Sequence, residues 1–99
     1  MKKLFYRGIG GDCGQGNYYT EDKDFALQFT YSGRDSELKR KIIDTELIYT
    51  LSKLPKAVND KEIDNAIAEA KTKGYKAITV DEGKNMPNSI FIFDFSIFD

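Results

Sequence analysis

The sequence predicts an α+β domain, and three stretches carry that prediction. Asp60–Lys73 is an amphipathic helix with both ends specified. Leu4-Phe5-Tyr6 and Ser89–Phe98 are aromatic, strand-prone runs at opposite ends of the chain. Between them the elements fall in the order β, loop, α, β, α, β, β, without the regular alternation of a doubly wound sheet. A chain of 99 residues makes one domain, residues 1–99. A domain of this size buries only about 60–65% of its unfolded surface, so its core is small.

Composition narrows the function classes. Hydrophobic content of 40% against 31% charged is that of a globular protein. The formal charge is −1, so there is no basic surplus of the kind a nucleic-acid binder carries, and direct nucleic-acid binding is not expected. Lys39-Arg40-Lys41 is a local basic cluster, read as a solvated strand face. No apolar run reaches the eighteen or so residues of a membrane span. The apolar run after Met1-Lys2-Lys3 is too short for a signal peptide, and the expected location is the cytoplasm. Histidine is absent, which excludes Ser/His/Asp and Cys/His catalytic sets and any histidine-bearing zinc site. The single cysteine, Cys13, excludes an internal disulfide; it reads as a small loop residue, and no metal is expected.

The elements follow in order. Leu4-Phe5-Tyr6 opens a strand that Arg7 closes, and Gly8, Gly10, Gly11, Gly14 and Gly16 follow within nine positions. So many glycines let a backbone turn with positive φ or come close to a ligand. After Asn17-Tyr18-Tyr19, Thr20 is a candidate N-cap, with Glu21 and Asp22 in the first turn and Phe25, Ala26 and Phe29 on one helical face. Tyr31–Ser36 is a polar turn segment. Leu38–Leu51 is read as a strand, partly exposed through Lys39, Lys41, Asp44 and Glu46; a helix from Ser36 is the rival, because Leu38, Ile42 and Thr45 also have helical spacing. Pro55 stops that strand. Asn59 caps the next helix with Glu62 three residues later, Ile63, Ala66, Ile67 and Ala70 form its apolar stripe, and Gly74 is its C′ residue. Tyr75–Val80 is a short strand and Asp81–Asn88 a loop. Ser89–Phe98 is apolar on both faces and is expected to be a central, covered strand, with Phe91, Phe93 and Phe95 as core.

Several of these residues form a pattern. Tyr6-Arg7-Gly8, the segment from Gly16 through Tyr18-Tyr19-Thr20 to Asp22, and Ala26-Leu27-Gln28-Phe29 stand in the order found at the start of the ADP-ribosyltransferase-like fold. Gly74-Tyr75-Lys76-Ala77-Ile78 and Ile92-Phe93-Asp94-Phe95-Ser96-Ile97 resemble its closing part. The chain thus resembles the small form of that fold carried by phages and mobile elements, with 31–57 poorly matched. The resemblance implies a split mixed β-sheet with two main helices. It also implies transfer of ADP-ribose from NAD, as co-substrate, to a host protein.

In that reading Arg7 and Gly8 approach the diphosphate and ribose, the fork of the guanidinium suiting an anion. Tyr18 or Tyr19 stacks on the nicotinamide, with the Thr20 hydroxyl nearby. Because side chains alternate along an extended segment, one of the two tyrosines is expected in the core and the other in a cleft. A carboxylate must face the positive charge that builds on the ribose. Many members carry Glu at the start of the final strand, where this chain has Ser89 or its neighbour. The nearest acids are Asp81 and Glu82, which are the candidate catalytic residues or simply part of a turn. Two functions stay open: a mono-ADP-ribosyltransferase acting on a host defence protein, and a non-catalytic derivative that inhibits a defence complex, such as a CRISPR effector, by direct binding.

Overall fold

A computed structural model describes residues 1–9, 18–27 and 37–98. The elements are β1 (Lys2–Ile9), β2 (Tyr18–Tyr19), α1 (Lys23–Leu27), β3 (Glu37–Asp44), β4 (Ile48–Tyr49), α2 (Asp60–Thr72), β5 (Ala77–Val80) and β6 (Ser89–Ile92). They form an α+β protein with two helices. The glycine-rich segment from Gly10 to Gly16, Cys13, Phe29 and the turn at 31–36 lie outside the described residues.

The strands form two sheets. β1 and β3 pair antiparallel as a two-stranded ribbon, and the other sheet is mixed, in the order β2-β6-β5-β4. β4 and β5 are its parallel pair, with α2 as the crossover between them. The sheets meet at one seam, where Tyr6 and Thr20 exchange backbone hydrogen bonds of 2.7 and 2.9 Å. This seam brings the opening strand beside β2, which stands between it and the closing pair β6–β5.

The mixed sheet has a core on each face, as alternating side chains require. On one face Ile78 and Val80 pack against Ile63, Ala66 and Ala70 of α2, with Tyr18, Phe91 and Phe93 around them. On the other, Tyr19, Ala77, Ile90 and Ile92 pack against Phe5 and Ile43 of the ribbon and Ile97 of the C-terminal turn. The outer side of the ribbon is open: Leu4 and Ile42, cross-strand partners, are 42% and 63% exposed. Lys39, Arg40 and Lys41 on β3 are solvated, and such cations discourage pairing at an open edge.

α2 matches its sequence signals. The Asn59 side chain accepts a hydrogen bond from the Glu62 amide at 3.1 Å. At the other end the Tyr75 and Gly74 amides donate to the carbonyls of Ala70 and Lys71, with Gly74 at φ 84°. That is a Schellman cap, and a glycine takes its left-handed position without a Cβ penalty. Asn59→Ala is expected to cost about 1 kcal/mol, read as a lower urea midpoint at unchanged m-value.

Four expectations are corrected. First, Leu38–Leu51 is two strands. Asp44 ends β3 by accepting from the Glu46 amide at 3.1 Å, and a 3-10 turn over Thr45–Leu47 carries the chain from one sheet to the other. Second, Ser89–Phe98 is a strand only to Ile92. Asp94 accepts from the Ser96 amide at 3.0 Å and caps a 3-10 turn over Phe95–Ile97. Third, Phe91 and Phe93 are partly buried against the α2 core while Phe95 stands 51% exposed, so the three do not form one core row. Fourth, Asp22 rather than Thr20 caps α1. Its carboxylate accepts from the Phe25 amide at 2.9 Å, while the Thr20 hydroxyl accepts from the Asp22 amide one turn earlier.

Candidate functional site

The site begins at the Asp81–Asn88 loop. Its first residue is held on three sides. The Asp81 amide donates to the Pro55 carbonyl at 2.8 Å, its carbonyl accepts from the Ala57 amide at 2.8 Å, and its carboxylate accepts from the Gly83 amide at 2.9 Å. Gly83 at φ 124° and Asn85 at φ 65° let the chain turn back to β6. Asp81 is thereby committed to building the turn.

Glu82 is the acid this turn delivers. The Ser89 hydroxyl lies near enough to its carboxylate to favour the ionised form. Ser89 is buried at the first position of β6, paired with Val80. Burial pushes the Glu82 carboxyl above the usual carboxylate range and the charge of Asp81 adds to it, while the Ser89 hydroxyl opposes the rise. Tyr18 lies within the reach of this charge. Its hydroxyl is pushed up first by burial, then by Glu82 and by Asp60 at the start of α2. The Tyr18 ring meets Phe91 edge-on, with centroids 5.0 Å apart.

Thr20 shares the Tyr18 face by strand alternation. It is 5% exposed, and its hydroxyl approaches the Asn88 carbonyl at 3.5 Å, next to Ser89. Tyr18, Thr20, Ser89 and Glu82 therefore gather at one end of the β2–β6 pair, on the face that α2 covers further along.

Arg7 and Tyr19 lie on the other face. Tyr19 is 4% exposed, with its ring 5.3 Å from that of Phe98. Burial raises its hydroxyl and the positive charge of Arg7 lowers it; two residues from Phe5 on β1, Arg7 shares the face by which Phe5 joins the Tyr19 core. Arg7 itself is 8% exposed, and Gly8 is buried beside it. The structure thus brings Glu82, Tyr18 and Thr20 together and sets Arg7 and Tyr19 across the sheet from them, with Gly8 buried next to Arg7 along β1. Of the two tyrosines, Tyr19 is the core residue and Tyr18 the half-buried one.

Sequence reasoning passed over Ser89 as a partner for Glu82 and Asp60 as a neighbour of Tyr18. The signal for Ser89 was present: a lone hydroxyl opening an otherwise apolar strand needs a partner once buried. Asp60 left no such trace, since it looks like an ordinary first-turn acid.

The site is acidic around an aromatic ring. Such a place suits a positively charged, flat group, which a tyrosine face and nearby carboxylates both attract. Among the described residues no helix is long and apolar enough to cross a membrane, and no group of three or more acids or thiols is placed to hold a metal. No family model, curated protein or solved structure matches the chain.

Proposed function

We propose that the protein is an ADP-ribosyltransferase-like effector of the small phage type, transferring ADP-ribose from NAD to a host defence protein. The reading rests on Glu82, a half-buried acid at the end of the last loop, beside Ser89 at the start of β6 and near enough for its charge to act on Tyr18. The family pattern asks for a carboxylate at the start of the last strand, and here a loop acid reaches back to that position. The two sheets joined at the Tyr6–Thr20 seam agree with the split sheet of that fold.

The chemistry follows from charge. The nicotinamide of NAD is a pyridinium, and the Tyr18 ring with Glu82 and Asp60 offers it an aromatic face among acids. When the bond from ribose to nicotinamide breaks, its electron pair leaves with the neutral ring and positive charge develops on the sugar. Glu82, half-withdrawn from water, faces that charge in a medium where the attraction is strong. The acceptor side chain then attacks the ribose carbon, and its proton passes to the carboxylate or to solvent. Thr20 supplies a hydroxyl beside the ring.

One observation favours a second reading. Arg7 shares the Phe5 face of β1 while Tyr18 packs on the α2 side, so a diphosphate held by Arg7 and a nicotinamide held by Tyr18 would not share one open face. A derivative of the fold that blocks a defence complex by contact alone needs no such sharing. Labelled NAD incubated with the protein and a bacterial lysate separates the two. Transfer of label to a protein band, lost in Tyr18→Ala, supports the enzyme. Capture of a defence complex at equal yield with and without NAD, and no label transfer, supports the binder.

A further inference from the structure

At the end of β5 and β6 opposite the Glu82 site there is an open hollow of about 530 Å³. Lys71, Tyr75, Lys76, Phe93, Asp94 and Phe95 line it. We propose that this hollow binds a nucleoside phosphate, with Lys71 and Lys76 on the phosphate, Asp94 on the ribose and Phe95 under the base.

Each part of the ligand has a group suited to it. Phe95 stands 51% exposed on the 3-10 turn after β6, with its ring 6.0 Å from that of Phe98, and as a lining residue it offers an aromatic surface to the hollow. A base stacked on an aromatic ring gains about 1–3 kcal/mol and needs no hydrogen-bond match. The neighbouring ring, Phe93, already has the Lys71 ammonium over it, 5.8 Å from its centroid, which holds that cation at the wall of the hollow.

Lys76 lies across from it, and both lysine charges act on the Asp94 carboxyl. Asp94 is oriented by the Ser96 amide at 3.0 Å. A carboxylate so fixed can accept from vicinal ribose hydroxyls, the use acids find in dinucleotide sites. The two ammonium groups outnumber this single carboxylate, so the hollow keeps net positive charge for a phosphate. The hollow's size falls within the usual range for small-ligand sites, about 300–1,000 Å³.

The backbone around the hollow is well tied. The Lys76 amide donates to the Leu47 carbonyl at 2.9 Å, and the Lys76 carbonyl accepts from the Phe93 and Asp94 amides at 3.1 and 3.2 Å. Gly74 at φ 84° would meet nothing within 4 Å if it carried a Cβ, so the entrance beside it is open.

The test is a fluorescence-anisotropy titration of the whole chain with a fluorescently labelled AMP at low salt. Saturable binding is expected, weakened about tenfold or more in Phe95→Ala and in Lys71→Ala/Lys76→Ala, and unchanged in Glu82→Gln. Adenosine and ribose 5-phosphate, each lacking one half of the recognition, should compete more weakly than AMP. A short oligoadenylate RNA, whose 3′-terminal ribose keeps both hydroxyls, that competes through the same residues identifies a strand as the source of the nucleotide. AMP competing where the oligonucleotide does not identifies a free nucleotide. The proposal fails if no saturation is reached at millimolar ligand, or if the Phe95 and lysine variants, still folded by circular dichroism, bind like the parent. Because Glu82 belongs to the opposite end of the sheet, loss of binding in Glu82→Gln would also overturn it, without bearing on whether label transfer occurs.

Discussion

Ile92→Ala is expected to lower stability by about 2–5 kcal/mol, the range for deleting a large aliphatic side chain from a packed core. Ile92 is 0% exposed and lies in the cluster formed by Phe5 and Ile43 of the ribbon together with Tyr19, Ala77, Ile90 and Ile97. Its side chain touches the contact on which the two sheets depend. Among the described residues the sheets are also joined by the two backbone hydrogen bonds between Tyr6 and Thr20. A cavity there therefore weakens the junction of the halves as well as one strand. Domains of this size are stable by roughly 5–15 kcal/mol, so the variant approaches the threshold of folding. Urea denaturation checks it: the midpoint should fall sharply with the m-value unchanged. Ile42→Ala is the matched control. Ile42 sits on the outer side of the ribbon at 63% exposure, and its loss should change stability by about 0.5 kcal/mol or less. Equal effects at the two positions would show that the ribbon does not pack on the mixed sheet as described.

What the sequence discloses and what it hides divide along a physical line. α2 is legible because its signals are local: Asn59, the 3.6-residue stripe and Gly74 act within one segment, and the observed helix ends one residue from the expected boundary. The tyrosine pair is legible in part because alternation along a strand is geometric: it sends Tyr19 into the ribbon-side core and Tyr18 to the α2 face, where it is half-buried. The breaks after Asp44 and Ile92 are not legible from hydrophobicity, which continues through both. In each case an aspartate side chain captures the amide two residues ahead and tightens the backbone into a 3-10 turn. Propensity summed over a window cannot register one side chain competing with the ladder. The same limit conceals Ser89. Its meeting with Glu82 depends on how the Asp81–Asn88 loop folds back, which Gly83 and Asn85 decide through positive φ rather than through any periodic pattern. The separation of Arg7 from Tyr18 is hidden for a third reason: it depends on the face each strand presents across the seam, a matter of register between distant segments.

Glu82→Gln is expected to remove the proposed transferase activity by about a hundred- to a thousand-fold while making the protein more stable at neutral pH. The first effect follows from losing one preorganised charge aimed at a developing cation. The second follows from linkage. Burial raises the proton affinity of Glu82 in the folded state, so folding favours the protonated form. A group raised in this way contributes its full stability below its unfolded pKa, about 4.3 for a glutamate, and loses that contribution as pH rises through the higher folded value. Glutamine, which never ionises, escapes the loss. The melting temperature of the variant should therefore match the parent near pH 4 and pull ahead as pH increases, reaching a constant lead once the parent carboxyl is fully ionised. Asp81→Asn separates the two acids. Asparagine keeps an oxygen that can accept from the Gly83 amide, so the turn survives and the pH-dependent lead should be smaller, because only the repulsion between the acids is relieved. The two readouts test different things. Calorimetry across pH asks whether Glu82 is the strained carboxylate, and label transfer asks whether that strain serves chemistry. A constant difference between Glu82→Gln and the parent at all pH values would remove the basis for assigning Glu82 an electrostatic role. A stability lead with no transfer in either protein would leave Glu82 a half-buried acid beside Ser89 and would favour the contact inhibitor.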